Sequence, residues 1–180
     1  MKILDLGCGK MKREGAIGVD RSPDSLADVI WDLNRLPWPF PDDEFDLIIC
    51  RHVLEHLDDI VKVMEEIHRV GKDHARVEIT TPHFSSVGSW DDPTHRHHFS
   101  TRSFDFFVAG AELPPYSSMQ FLRREERLSF RRGLLDLIPR FLCRFFRRHY
   151  ERRFAFLFPA KNIYLCLEVV KGEVPAHTSR

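Results

Sequence analysis

The sequence is poor in the features that mark several classes of protein. It has four cysteines among 180 residues, Cys8, Cys50, Cys143 and Cys166, and no C-x-x-C pair. This pattern argues against a disulfide framework or a zinc ribbon and fits a reducing cytosol. No run of 18 apolar residues occurs, so no membrane-spanning helix is expected. Residues 1–9 lack the apolar segment of a signal peptide, and we therefore expect a cytoplasmic protein.

Net charge is absent as well. The 27 basic and 27 acidic residues give a formal net charge of zero, so global charge does not indicate a nucleic-acid or membrane partner. The local balance is uneven, because eleven arginines and only four acidic residues lie between Arg123 and Arg153. This stretch belongs to a basic, aromatic segment, residues 131–160, which we predict to be a helical insertion before the last strand.

Short apolar segments separated by turns predict the fold class. Strands are expected at residues 2–6, 16–20, 27–31, 45–50 and 76–82, with an amphipathic helix between the last two that ends at Gly71. Residues 119–130 and 162–171 are predicted to form a further antiparallel pair. The pattern indicates one α/β domain over residues 1–171, followed by a disordered tail at 172–180.

A glycine turn follows the first strand. The sequence "DLGCG" places Gly7 and Gly9 where backbone can approach a ligand. A dinucleotide site would need a third glycine, where this chain has Lys12, and a full helix before the second strand. Only ten residues separate Gly9 from Asp20. The turn therefore favours S-adenosylmethionine, which has no phosphate to bind.

Three acidic residues end the first three predicted strands. Asp5, Asp20 and Asp32 should line the carboxyl edge of one sheet, where open α/β folds bind ligands. Asp20 is placed to accept hydrogen bonds from ribose hydroxyls, and Asp32 from an adenine amino group. The alternative is that these residues are ordinary turn and cap residues.

The order of these motifs resembles a known family. "LDLGCG", "GVD", "WDL", "FDLIICRHVLEHL" and "VEITTPHF" together are similar to class I S-adenosylmethionine-dependent methyltransferases of the type 11 group, over roughly residues 2–108. The resemblance implies a Rossmann-like, doubly wound, mostly parallel sheet of seven strands with an antiparallel last strand. The residues predicted to bind the cofactor are Asp5, Gly7, Gly9, Asp20, Asp32, Leu33 and Arg51.

The chain departs from the family pattern around its first strand. The helix that should follow this strand is reduced to a loop, and no helix precedes it. These departures predict an open cofactor pocket. They also keep a non-catalytic protein on a methyltransferase scaffold as an alternative.

Eight of the ten histidines lie between positions 52 and 98. "HVLEH" puts His52, Glu55 and His56 on one face of a helical turn, at the edge where a methyl acceptor would lie. His83 follows the fifth strand, and the loop "DDPTHRHHF", residues 91–99, comes next. One interpretation is purely structural hydrogen bonding. A second is general-base catalysis, for which His52, His83 and His98 are the candidates.

A third interpretation is a metal site. Some methyltransferases of ubiquinone biosynthesis and of small-RNA 3′ ends use an E-x-x-E-H group with a later histidine to hold a divalent cation. This resemblance implies Glu55 and His56 with one of His95, His97 or His98, and His98 is the first choice. His52 replaces the first acid of the pattern. Imidazole-rich ligands would favour zinc, iron, cobalt or nickel over magnesium.

The insertion also carries an apolar stripe with arginines beside it, over residues 134–158. Such a segment can pack on its own domain, cover the substrate, form a dimer face or lie on an anionic membrane surface. No recognisable nucleic-acid-binding module is present, so nucleic acid is not expected as a partner.

The sequence as a whole predicts a methyltransferase acting on an oxygen or nitrogen acceptor, with a histidine taking the proton. A small-molecule or lipid-linked acceptor is expected, with possible contact at the membrane periphery. The alternative is a non-catalytic or metal-binding protein on the same scaffold.

Overall fold

The computed structural model describes residues 1–113, 116–131, 133 and 137–172. The predicted tail from residue 173 onward and residues 134–136 of the insertion lie outside the described residues. The side chains of Arg144, Arg147 and Arg148, which the sequence placed beside the apolar stripe, also lie outside them.

Seven strands form one sheet in the order β3-β2-β1-β4-β5-β7-β6. Their bounds are β1 Ile3–Leu6, β2 Ala16–Asp20, β3 Val29–Ile30, β4 Phe45–Arg51, β5 Gly71–Pro82, β6 Gln120–Ser129 and β7 Asn162–Val170. The first five strands are parallel, and β7 runs antiparallel to both β5 and β6. The predicted Rossmann-like sheet with an antiparallel last strand is confirmed.

The strand β1 lies inside the sheet because its side chains can be buried on both faces. Leu4 pairs with Ile17 of β2 on one side and with Ile48 of β4 on the other. All four residues of β1 are buried. A run of this kind is typical of a central parallel strand. Its register sets the glycine turn beside the carboxyl end of β4.

One helix covers the main core. Helix α1, Ile60–Val70, begins at Asp59, whose side chain accepts from the amide of Lys62 at 3.1 Å. Its buried residues keep helical spacing and belong to the same apolar cluster as the sheet: Val63, Met64, Ile67 and Val70. Gly71 ends the helix as predicted, but β5 begins there too, five residues earlier than the sequence indicated.

Other connections are less helical than in a fully doubly wound sheet. Within residues 1–59, all described, the links between the first four strands are turns and loops. Residues 101–107 form a 3-10 helix. Its first turn carries a reciprocal capping box between Ser100 and Ser103. The first four strands are therefore connected by turns and loops and not by helices.

The basic aromatic segment packs on the β6–β7 end of the sheet. Helix α2, Leu137–His149, has non-helical backbone at Phe146 (φ −140°, ψ 46°) and continues as a π-helical turn over Tyr150–Phe154. Tyr150 is fully buried and donates to the carbonyl of Phe158 at 2.6 Å. Tyr150 belongs to an apolar cluster with Phe84 and with Leu128 of β6, so one face of the insertion packs on its own domain. No helix of the described residues is both long and apolar enough to span a membrane.

Candidate active site

The glycine turn lies at the carboxyl end of β1. Gly7 has φ +59° and Gly9 φ +50°, a backbone region that favours glycine. A Cβ added to Gly7 would lie 1.7 Å from Cγ2 of Val53, so a side chain there would collide with the segment after β4. Glycine at position 7 lets the turn pack directly against that segment.

Asp20, at the end of β2, holds this turn. Its Oδ2 accepts from the amide of Gly9 at 2.9 Å, and its Oδ1 accepts from the amide of Ser22 at 2.8 Å. Each carboxylate oxygen keeps a second lone pair. Asp20 therefore braces the turn and can still accept hydrogen bonds from a ligand.

A first cleft of about 310 Å³ opens between these strand ends. Gly7, Asp20, Asp32 and Leu33 of the predicted cofactor set line it, together with Arg21, Trp31, Asn34, His52, Val53, His56, Leu57, Asp92 and Thr94. Its volume lies at the lower end of the range of small-molecule sites. Three carboxylates against one guanidinium make its lining suitable for a cationic, hydroxyl-bearing ligand.

Asp5 and Arg51 lie behind the cleft. Asp5 is fully buried, and its Oδ2 accepts from the amide of Arg13 at 2.7 Å and from the Arg51 guanidinium at 2.8 Å. Arg51 also donates to the carbonyl of Met11 at 2.8 Å. Neither residue lines the first cleft. Both residues support the glycine turn, as Asp20 supports Gly9, and the predicted contact of Asp5, Arg51 and Gly9 with a cofactor stays a prediction.

A second cleft of about 630 Å³ adjoins the first. His52, His56 and Asp92 line both clefts. The second is completed by Glu55, Pro82, Ser86, Val87, Gly88, Asp91, His95, Arg131, Pro159, Ala160, Lys161 and Asn162. A group bound in one cleft can therefore meet a group bound in the other beside these shared side chains.

His52 is held by a buried carboxylate. The backbone of His52 has φ +55°, and its Nδ1 donates to Oε1 of Glu55 at 3.2 Å. Glu55 is 1% exposed, and its Oε2 accepts from the hydroxyl of Thr81 at 3.0 Å. With Nδ1 as the donor, Nε2 of the neutral ring carries the lone pair. The His52 imidazole is thus oriented and able to take a proton.

The loop at residues 91–99 is held by the backbone carbonyl of the same glutamate. The carbonyl of Glu55 accepts from the amide of Arg96 at 2.7 Å and from that of His97 at 3.3 Å. His97 donates through Nε2 to the carbonyl of Leu57 at 2.9 Å. These bonds bring His95 against His56, with ring centroids 4.6 Å apart.

Part of the chain is similar to known proteins. Residues 4–79 match the family model described as a methyltransferase domain. The crystal structure of an S-adenosylmethionine-dependent methyltransferase from Archaeoglobus fulgidus superposes with a TM-score of 0.64, at 19% identity over 93% of this chain and 85% of that one. Residues 4–79 therefore have the sequence features of a methyltransferase domain, and the described chain has the fold of such an enzyme.

Two further proteins show the range of this fold. The uncharacterized methyltransferase YcgJ of Bacillus subtilis is 47% identical over 38 residues, which span 21% of this chain and 15% of that protein. Its crystal structure has a TM-score of 0.58 at 18% identity and covers 95% of this chain and 92% of that one. The cyclase SpnF has a TM-score of 0.59 at 15% identity, covering 95% and 75%. The fold therefore hosts more than one reaction, and function has to be argued from the site.

Beside the two clefts, the ligand atoms of Glu55, His56 and His95 lie within 4.8 Å of one another. His95 Nδ1 donates to the carbonyl of Ser89 at 3.1 Å, which leaves its Nε2 as a lone-pair donor. The metal set predicted from sequence is corrected at one position, because His95 replaces His98.

His98 makes its contacts elsewhere in the loop. Its ring stacks on the indole of Trp90 at 3.7 Å between centroids, and its Nδ1 lies 2.9 Å from the hydroxyl of Ser89. His98 lines neither cleft. The sequence made His98 the first choice among the three histidines of this loop. In the structure its side chain lies against Trp90 and Ser89. His98 is not grouped with Glu55 and His56, and its predicted role as a base stays a prediction.

His83 is not placed to act as a base either. It is fully buried, with Nδ1 2.7 Å from the hydroxyl of Ser85 and Nε2 3.0 Å from Oε1 of Glu151. Glu151 also accepts from the amide and hydroxyl of Thr101, each at 2.9 Å. Burial opposes ionisation of Glu151, but these hydrogen bonds hold its pKa below its ordinary value. His83 therefore joins the insertion to the end of β5.

Sequence reasoning missed the residues that support the histidines. The Thr94 hydroxyl lies 2.9 Å from His56 Nδ1 and donates to Oδ1 of Asp92 at 2.7 Å. Hydrogen bonds from the hydroxyl and amide of Thr94 hold the pKa of Asp92 below its ordinary value. Thr81 could have been noticed, since it ends a strand next to β4. Thr94 and Glu151 carried no local signal.

Proposed function

We propose that the chain is an S-adenosylmethionine-dependent methyltransferase that acts on an oxygen or nitrogen acceptor, with His52 as the general base. The observation that carries this proposal is the position of His52, which lines both clefts and is oriented by Glu55. The cofactor would occupy the first cleft and the acceptor the second, so the methyl group would pass at their boundary.

The residues of the first cleft fit this cofactor. Asp20 retains lone pairs for ribose hydroxyls, and the exposed carboxylate of Asp32 can accept from an adenine amino group. No long helix begins after β1 to bind a pyrophosphate, so a dinucleotide would lack its main anchor. When bound, S-adenosylmethionine supplies an activated methyl group on a cationic sulfonium, which suits the acidic lining.

The work of the protein side chains is alignment and proton removal. The clefts would hold the two reactants side by side, and alignment of this kind can remove about 7–11 kcal/mol of a reaction barrier. The bound cofactor would supply the methyl group, with its carbon–sulfur bond breaking and S-adenosylhomocysteine leaving as the acceptor atom bonds to the methyl carbon. Nε2 of His52 would take the proton that the acceptor loses. Glu55 stabilises the resulting imidazolium through its bond to Nδ1.

Calorimetry and product formation test the proposal. We expect the full chain to bind S-adenosylmethionine and to release S-adenosylhomocysteine when phenol, catechol and amine acceptors are screened. Asp20→Ala should weaken binding about 10- to 100-fold, because it removes charge-assisted hydrogen bonds. Asp24→Ala, in the same loop but outside the cleft lining, is the matched control. Absence of binding at millimolar cofactor would exclude the enzyme and leave the non-catalytic scaffold.

We also propose that Glu55, His56 and His95 can hold a divalent cation. The supporting observation is the hydrogen bonding around the rings. Thr94 gives its proton to Asp92, so its oxygen accepts from Nδ1 of His56, and both His56 and His95 keep Nε2 for a metal. Metal-ligating histidines usually donate a hydrogen bond from the ring nitrogen that does not bind the metal. A bound cation would polarise an acceptor hydroxyl in the second cleft.

Cobalt titration monitored by visible absorption tests the cation site. We expect a ligand-field band that His95→Ala abolishes and His98→Ala retains. Loss of the band in His98→Ala alone would restore the assignment made from sequence. No band with the unaltered chain would remove the metal from the mechanism and leave His52 to act by itself.

A further inference from the structure

Helix α2 is apolar on two sides. Pro139 is buried, and Leu142 and Cys143 are half-buried where the helix packs beside Tyr150 and Phe130. Packing on the domain therefore explains one face of the helix. This packing does not explain why the side chains on the opposite face of the helix are apolar too.

The opposite face is exposed. Leu137, Ile138, Phe141 and Phe145 follow i, i+1, i+4, i+8 spacing and are between 46% and 62% exposed. The rings of Phe141 and Phe145 contact each other at 5.0 Å between centroids. Phe146, Phe156 and Leu157 add to the surface. Among the described residues, seven of the fourteen exposed large apolar side chains lie within residues 137–157. Such clustering marks an interaction surface.

The same segment is strongly basic. Residues 137–160 contain six arginines and one glutamate, a formal charge of +5. The glutamate, Glu151, is turned inward to His83 and Thr101, whereas Arg140, Arg152 and Arg153 are exposed. The outer surface of the segment therefore combines phenylalanine, leucine and arginine.

We propose that this surface, formed by α2 and residues 150–157, binds an anionic lipid surface. Phenylalanine and leucine can enter the headgroup boundary while the arginines pair with lipid phosphates. A second copy of the chain would bring a second charge of +5 against the first. A nucleic acid would satisfy the arginines but leave Leu137, Ile138 and Leu157 in water. An anionic lipid surface matches both the charge and the apolar area.

The position of the surface indicates the source of the acceptor. The chain leaves the surface at Leu157 and reaches Pro159, Ala160 and Lys161, which line the second cleft. The ring of Phe156 contacts that of Phe84, two residues beyond the lining residue Pro82. Resting on the proposed function, this continuity assigns a lipid-embedded acceptor that reaches the second cleft from the membrane.

Vesicle co-sedimentation of the full chain tests the proposal. We expect binding to phosphatidylcholine vesicles that contain about one third phosphatidylglycerol, weakened by salt, and little binding to phosphatidylcholine alone. Phe141→Gln/Phe145→Gln and Arg152→Gln/Arg153→Gln should each weaken binding about tenfold or more. Leu26→Gln, an exposed apolar residue near the β3 edge of the sheet, should leave binding unchanged.

Four outcomes would overturn the proposal. They are no binding to the anionic vesicles, equal binding by the substituted and unaltered chains, a dimer abolished by Phe141→Gln/Phe145→Gln without vesicle binding, and RNA binding without vesicle binding. Calorimetry with S-adenosylmethionine on the same variants separates this test from that of the proposed function. Vesicle binding needs no catalysis, and cofactor binding needs no lipid.

Discussion

His52 donates from Nδ1 to Oε1 of Glu55 at 3.2 Å, and this bond joins an imidazole whose side chain is 48% exposed to a carboxylate that is 1% exposed. The Thr81 hydroxyl holds the other carboxylate oxygen. The glutamate is therefore fixed from behind and presents one oxygen to the histidine. A base held in this way would lose little orientational freedom when the acceptor enters.

Replacing His52 should separate catalysis from cofactor binding. Asparagine tolerates the positive φ of position 52 but cannot take up a proton at neutral pH. We expect His52→Asn to lower the rate of S-adenosylhomocysteine formation about 10²- to 10⁴-fold, the usual contribution of general-base catalysis. Calorimetry should give an almost unchanged affinity for S-adenosylmethionine.

His74 supplies the matched control for this substitution. It too has a positive φ, +64°, is exposed and bonds through Nδ1 to a glutamate, Glu168, at 2.9 Å. It lines neither cleft. His74→Asn should retain the rate, and an equal loss in both variants would mean that His52 contributes to folding and not to proton transfer.

The glycine at position 7 should be required for close packing as well as for backbone conformation. Gly15 has a positive φ of +74° and no atom within 4 Å of an added Cβ, whereas Gly7 would meet Val53. Gly15→Ala should cost about 1–2 kcal/mol of unfolding free energy from its backbone conformation alone. Gly7→Ala should cost about 1–3 kcal/mol more from overpacking. Urea unfolding measures both, and equal losses would contradict the contact with Val53.

The buried bond between Glu151 and His83 should hold the insertion to the sheet. Glu151→Gln removes the carboxylate that accepts from His83 and Thr101, and we expect a loss of about 1–3 kcal/mol in urea unfolding. Because the folded pKa of Glu151 is lowered, its stabilisation is present above the ordinary glutamate pKa and is lost as pH falls below it. The variant should therefore lose less stability on acidification. Glu14→Gln, at an exposed site, serves as the control.

Glu168 should add a second acid-sensitive contribution. Hydrogen bonds from Arg124 and then His74 lower its pKa from 4.5 to about 2. Its stabilisation is complete above pH 4.5 and disappears as pH falls from there towards 2. Both partners are exposed, so Glu168→Gln should cost only about 1 kcal/mol at pH 7. Thermal unfolding at two pH values, with Glu125→Gln alongside, would show whether the loss is confined to the higher pH.

Much of the fold and of the first cleft could be predicted locally. Apolar runs such as residues 45–50 specify buried strands, and positive-φ glycines beside strand-end acids specify the turn. Asp20 is the last residue of β2 and Asp32 lies two positions after the end of β3, so the parallel sheet alone brings them to one edge. The start of β5 was predicted too late because Gly71, a normal helix terminator, also pairs with Phe45.

By itself the sequence predicted the mostly parallel sheet, the glycine turn and the candidates His52, Glu55 and His56, because each depends on residues close together in the chain. Only the tertiary structure decided which later histidine joins them. Backbone bonds from the loop to the Glu55 carbonyl bring His95 inward, while stacking on Trp90 takes His98 away. Side chains 40 residues apart meet through such long-range hydrogen bonds, and local spacing does not encode them.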